Sequence, residues 1–201
     1  PRAVRENLRP STQALLIHTL LREPDNLSLT ELAPKLGYSV MTMSRAMDEL
    51  QAAGLGEAAR SGRGRSLHLT EPKLVVWKQA QTFLRDPVKS RHPIRMPPGM
   101  GLPGALAGLS ALARYSMLAE PHNAVVALSA RDWKSMRRQE TVLEAAGDEP
   151  DALTVEVWSY APTLFASEGV VDRLSLYLSL REDTDERIEA AISQMIEDAA
   201  W

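Results

Sequence analysis

The spacing of apolar residues predicts a helical first half with a short hairpin, followed by a mixed second half. Over residues 11–21, Leu15, Leu16, Thr19 and Leu20 lie near helical spacing, with Ser11 placed as the cap. A shorter helix, capped by Ser28 or Thr30, holds Leu32, Ala33 and Leu36, and Gly37 then allows a tight turn. Ser39 opens a longer helix with Met43, Ala46, Met47 and Leu50 at i, i+3, i+4 and i+7, and Gly54 stops it. Two strands follow, over 55–60 and 65–70, joined by the tip Ser61-Gly62-Arg63-Gly64. In the second of them Leu67 and Leu69 alternate with Ser66 and His68. Pro72 opens a further helix carrying Leu74, Trp77, Phe83 and Leu84.

Beyond residue 103 helices and strands mix. Gly104–Leu118 is expected to be a helix, with small residues Ala105, Gly108 and Ala111 for close packing. Ala124–Leu128 and Leu153–Tyr160 are expected to be strands, with a helix over Arg131–Ala145 between them. In the second strand Val155 and Val157 alternate with Glu156 and Trp158. Leu174, Leu176, Leu178 and Leu180 alternate like a strand, whereas an Asp172 cap and the spacing of Leu174, Tyr177 and Leu178 suit a helix. The helix is the preferred reading of 172–181. Thr184 caps an amphipathic helix to Ala199, striped by Ile188, Ala191, Ile192, Met195 and Ile196. Five of the thirteen prolines fall between Pro87 and Pro103, beside Gly99 and Gly101, which predicts a linker. The expected organisation is a domain over 1–88, a linker over 89–103 and a small α/β domain over 104–201, α+β in class.

Composition narrows the function. The 201 residues are 44% apolar, which excludes whole-chain disorder, and the lack of cysteine excludes disulfides and thiolate metal sites. No apolar run approaches the roughly 18 residues of a membrane span, and the opening PRAVRENLRP lacks the apolar core of a signal peptide. A soluble cytoplasmic protein is expected. The net charge of -3 averages unlike halves. Residues 1–90 carry 13 Lys+Arg against 9 Asp+Glu, and residues 91–201 carry 10 against 17. The first half is therefore the one suited to phosphates.

Helix, short helix, glycine turn, helix and basic hairpin, in that order, describe a winged helix-turn-helix. The stretch LSLTELAPKLGYSVMTMSRAMDELQAAGL resembles winged-helix bacterial regulators of the MarR-like type, through Leu36-Gly37-Tyr38-Ser39, Thr42-Met43-Ser44-Arg45-Ala46 and Ala53-Gly54-Leu55. The resemblance covers residues 11–85. It implies that Ser39–Ala53 is the recognition helix and Arg60–Arg65 the wing.

Helical geometry leads to the same residues. With Met43, Met47 and Leu50 inward, Met41, Arg45 and Asp48 point outward and Thr42 and Ser44 flank them. The major groove admits a helix whose first turns meet base edges, so Ser39 and Met41 lie at the entering end. Arg45 is suited to guanine or phosphate, and Thr42 and Ser44 to phosphate or base. Thr30 stands at a helix N-terminus, where free N–H groups favour phosphate. Arg60, Arg63 and Arg65 suit phosphates or a narrow minor groove. Asp48 and Glu49 oppose this reading, and Asp48 is placed to pair with Arg45 at i, i+3.

In the second half, GLSALARYSMLAEP, VEVWSYAP and VVDRLSLYLSLREDTDERIEAAI resemble an uncharacterised bacterial winged-helix family similar to AbiEi-type antitoxins. The chain departs from that pattern at Asp172-Arg173, where Asp-Pro is usual, and at Tyr160-Ala161-Pro162, where Tyr-Asp-Pro is usual. The resemblance implies a repressor of its own operon that opposes a nucleotidyltransferase-type toxin through residues 104–201.

Enzyme chemistry has no constellation to stand on. His18, His68, His92 and His122 are scattered, and Ser110 lacks the following glycine of a nucleophile elbow. Asp183, Asp185 and Glu186 are better explained as helix-capping carboxylates than as a cation site. No cofactor, metal or membrane is expected, and no heptad seam assigns an oligomer. The expected function is a sequence-specific, duplex-DNA-binding transcriptional regulator, a repressor in the family sense. The alternative is a protein-interaction module whose winged helix does not bind DNA.

Overall fold

The computed structural model describes residues 7–22, 28–61, 64–97, 101, 104–138, 142–146, 149, 152–199 and 201, without the side chains of Arg60 and Ser61. The chain is mixed α+β and divides into two compact units, residues 1–85 with Trp201 and residues 86–200.

The first unit contains α1 (Pro10–Leu21), α2 (Leu29–Lys35), α3 (Val40–Ala52), the hairpin β1 (Glu57–Ser61) and β2 (Gly64–His68), and α4 (Lys73–Ala80). Ser11 is not the cap of α1. Pro10 occupies the first turn, where its missing N–H has no intrahelical partner to lose, and Arg9 holds the cap position. Leu15, Leu16 and Ile17 are consecutive and fully buried, so α1 is covered all round. Its buried Gln13 is satisfied by the backbone of Arg85: the side-chain amide donates to the carbonyl, and the Arg85 N–H donates back, both at 2.9 Å. Gly37 and Gly54, both with φ +72°, take the left-handed conformation just past α2 and α3. α4 ends at Ala80, so Phe83 and Leu84 lie beyond it.

The second unit is a five-stranded sheet with helices. Its elements are β3 (Val88–Arg95), β4 (Ala105–Leu106), α5 (Gly108–Tyr115), β5 (Val125–Ser129), α6 (Ala130–Arg138), β6 (Leu143–Glu144), β7 (Leu153–Trp158), α7 (Arg173–Leu180) and α8 (Glu186–Glu197). The strand order is β4-β5-β7-β3-β6; β5 and β7 are parallel and the other pairs antiparallel.

The expected linker over 89–103 is corrected here, because residues 88–95 form β3 inside the sheet. Proline content misleads at this point. The Pro93 carbonyl accepts from Ala145 N–H, so its nitrogen faces the same edge, where β6 pairs only with Ile94 and Arg95. Ala145 stands opposite Pro93 at the end of that short ladder, so the missing N–H costs one bond there and leaves the pairing with β7 intact. The expected helix over Gly104–Leu118 is shorter, because Ala105 and Leu106 pair with Ala127 and Val126 as β4. Gly104 makes that entry possible: its φ is +71°, and a Cβ there would lie 2.1 Å from the Ala127 carbonyl oxygen. The helix expected over Arg131–Ala145 does not reach that end: α6 is described over Ala130–Arg138, and Leu143 and Glu144 join the sheet edge. Asp185, not Thr184, caps α8, accepting from Arg187 N–H.

Residues 173–180 are helical, and the cap decides the matter. Asp172 Oδ1 accepts from Ser175 N–H at 2.8 Å, while the Tyr160 hydroxyl meets Ser175 Oγ at 2.8 Å. The strand-like leucine alternation serves a helix buried on most sides, with Leu174, Leu176, Leu178 and Leu180 all in the core. Both faces of β7 are also buried. Val155 and Val157 face a core shared with Ile94, Val126 and Leu128, against which Trp133 and Met136 of α6 pack. Glu156 on the opposite face is 2% exposed. It accepts from Arg91 Nε and Trp158 Nε1, both at 3.1 Å, and burial still lifts its carboxyl above the ordinary range.

Asp172 yields a test of this core. Burial raises its carboxyl to about 6, against the hydrogen bonds from Ser175. The folded chain thus holds the proton more tightly than the unfolded chain, so this group's contribution to stability falls as pH rises from about 4 to about 6. A shift of that size is worth roughly 3 kcal/mol. Urea unfolding of wild type and Asp172→Asn, which keeps the capping acceptor, should show the wild type losing stability relative to the variant across that window. Parallel pH profiles would show that the buried carboxylate carries no such cost.

Candidate nucleic-acid interface

Four side chains of α3 set its orientation. Met43 and Met47 are fully buried, as is Leu50, and Ala46 is 1% exposed. At about 100° per residue the opposite crest carries Met41 and Arg45. Met41 is 63% exposed and Val40 45%, high values for apolar side chains. Ser39 caps the helix by accepting from Thr42 N–H at 3.1 Å, and its hydroxyl lies 2.9 Å from that of Thr42. The expected entering end is therefore one ordered turn, with Ser39, Met41 and Arg45 exposed and Thr42 and Ser44 half-buried.

The two acids of α3 are drawn off to opposite flanks. Asp48 does not pair with Arg45 as expected. Arg65 of β2 reaches across instead, donating to Asp48 Oδ1 at 2.7 Å and to Ser44 Oγ at 2.8 Å. Ser44 and Asp48 stand one turn apart on the flank facing the hairpin, a separation that a two-nitrogen guanidinium can span. On the other flank, buried Thr12 of α1 donates its hydroxyl to Glu49. Among the described residues the Arg45 side chain has no hydrogen bond or ion pair, so it is the uncompensated charge on the crest of α3.

Several expected contacts are placed differently. Arg65 is occupied in holding the hairpin to α3 rather than standing free for phosphate. Arg63 and the Arg60 side chain lie outside the described residues; the backbone of Arg60 pairs with Arg65 in the hairpin. Thr30 is exposed within the first turn of α2 and is not its cap. Ser28 caps α2, and its N–H and hydroxyl both donate to Glu31, whose carboxyl they hold below its ordinary range. A phosphate beside Thr30 would meet that carboxylate, so Thr30 is not retained as a contact. Gly64 packs the hairpin against the same cap: a Cβ there would lie 2.7 Å from Ser28 Cβ.

The supporting roles of Asp48, Glu49 and Thr12 were not identified from sequence. Their partners lie 17 to 37 positions away, and no local spacing announces them. The histidines gather no site. His68 Nε2 lies 3.1 Å from Ser66 Oγ, and His92 stacks on Trp133 at 4.7 Å. Among the described residues no group of three or more potential metal ligands converges, and no helix is long and apolar enough to cross a membrane.

No protein-family model matches the chain, and neither a curated protein nor a solved structure matches it. The functional reading rests on the chain's own geometry.

The Arg65 link is directly measurable. Both partners are partly exposed, so the Arg65–Asp48 coupling should be modest, about 0.5–1 kcal/mol, in a double-mutant cycle of Arg65→Ala and Asp48→Ala followed by urea unfolding. Additive losses would mean that the ion pair does not tie the hairpin to α3.

Proposed function

We propose that this protein is a sequence-specific duplex-DNA-binding transcriptional regulator, with residues 7–85 forming a winged helix-turn-helix. α3 is the recognition helix and the β1–β2 hairpin is the wing. The observation that carries the reading is the sorting of charge on α3: both carboxylates are engaged by protein groups, and the exposed Arg45 side chain beside Met41 has no partner among the described residues. Duplex DNA offers what that crest lacks. Guanine O6 and N7 accept a bidentate guanidinium in the major groove, and thymine methyls offer apolar contact.

Ser39, Thr42 and Ser44 contribute hydroxyls at the same end of the helix, where N–H groups favour phosphate. Arg65 acts through Ser44 and Asp48, holding the wing at a set place beside the recognition helix. The alternative of a winged helix kept for protein contact drew on Asp48 and Glu49. Asp48 is paired with Arg65 and Glu49 is turned toward α1, away from the crest, which weakens the repulsion that motivated it.

The test is fluorescence anisotropy with duplex DNA from upstream of the protein's gene and with a scrambled duplex, over a range of salt. The wild type should prefer the upstream duplex, and Arg45→Ala should lose about 1–3 kcal/mol of that preference. Equal binding of both duplexes by wild type and variant would overturn the reading.

A further inference from the structure

The second unit carries an acidic average and a basic helix. Residues 88–138 hold eight Lys and Arg against two acids, whereas residues 139–201 hold three against fifteen. Four of the eight cations lie on α6: Arg131, Lys134, Arg137 and Arg138, all exposed. Among the described residues none of the four side chains makes an ion pair or a hydrogen bond; Arg137 rests over the Trp133 ring at 5.9 Å. The acid of this helix, Asp132, is turned to the helix start, where it accepts from the Ser129 hydroxyl at 2.6 Å.

The packing of α6 decides what could use these charges. Trp133 and Met136 face the sheet, and on the opposite side Arg131, Lys134 and Arg138 form a row. That row rises about 10 Å along the helix axis. The span matches about three base pairs of duplex, at about 3.4 Å of duplex axis per phosphate of one strand. Only Ser135 accompanies the cations on that side, so no apolar anchor is offered. Protein interfaces are organised around a buried apolar centre, and membrane-surface helices need a free apolar face. A face of cations alone suits a phosphate backbone, which needs neither.

We propose that α6 is a second, sequence-blind DNA contact, in which Arg131, Lys134 and Arg138 bind the phosphate backbone of duplex DNA. This rests on the duplex-DNA reading of the first unit only for the class of partner; its residues are separate. The contact would add affinity and salt dependence without adding discrimination between sequences.

The experiment uses the full chain, a mixed-sequence duplex of about 30 base pairs and anisotropy from low to high salt. The variants are the triple substitution R131A/K134A/R138A, Arg45→Ala, and all four changes combined. The triple variant replaces exposed side chains that have no partner among the described residues with a good helix former, and circular dichroism checks that it is folded. It should bind the mixed duplex about tenfold or more weakly at low salt, with a salt slope reduced by about 2–3. An unchanged slope with wild-type binding intact would overturn the α6 contact and leave the first unit's reading standing. A reduced slope in the triple variant, with Arg45→Ala unchanged on both specific and scrambled duplexes, would support α6 and defeat the recognition-helix reading. Absence of duplex binding by the wild type would overturn both. If polyglutamate displaced the duplex as effectively as unlabelled DNA, the face would belong to acidic protein instead.

Discussion

The rotation of α3 about its own axis is the constraint on which the proposed interface depends. Met43, Ala46, Met47 and Leu50 are almost wholly removed from water, and burying each of the two methionines and the leucine is worth about 1.5–3 kcal/mol. Turning the helix by even one residue position would expose part of that stripe and bury a charge. With the stripe held down, every other residue has a fixed destination. Ser44 and Asp48 face the hairpin, Glu49 faces α1, and Met41 and Arg45 are left on the crest. Hydrophobic packing, which carries no chemical specificity, thus decides which polar groups are free to recognise anything.

The legible parts of the chain were those whose signal is local. The stripe of α3, the Ser39 cap and the glycines after α2 and α3 each occupy a few adjacent positions, and all stand where expected. The Asp172 cap overrode a misleading leucine alternation for the same reason: an N-cap acts within one turn. Failures came where the deciding partner is distant. β4 and β6 are two residues each and exist only because β5 and β3 run beside them. β3 was hidden by its proline, since only the neighbouring strands show that the Pro93 nitrogen faces the end of the short β6 ladder and not the long pairing with β7.

Charge shows the same division. The sequence placed Arg45 and Asp48 as natural i, i+3 partners, and that local rule lost to Arg65, which binds Ser44 and Asp48 at once. A fork held at two points loses less freedom per bond than a single contact between two solvated side chains. Glu156 is a further case. Its place between two valines on β7 suggests a solvent-facing position, yet it is buried because Arg91 sits opposite it in the register and Trp158 lies two residues along. Register is a property of the assembled sheet, so no window of sequence contains it.

Averaged charge was the least informative quantity, and α6 shows why. A half-chain net charge adds the acids of residues 139–201 to the cations of residues 88–138, although a ligand meets a face and not an average. The two helices differ in how the protein treats their charge. On α3, folding consumes both acids and leaves a single exposed arginine, an arrangement suited to discrimination because one contact must be satisfied in one place. On α6, four cations remain exposed and are neutralised by no described neighbour, and such a set favours any dense row of phosphates equally. Leaving them unpaired forgoes little stability, since surface ion pairs are worth only about 0–1 kcal/mol each. The fold therefore loses little by keeping that face free, and a polyanion has the most to gain from it.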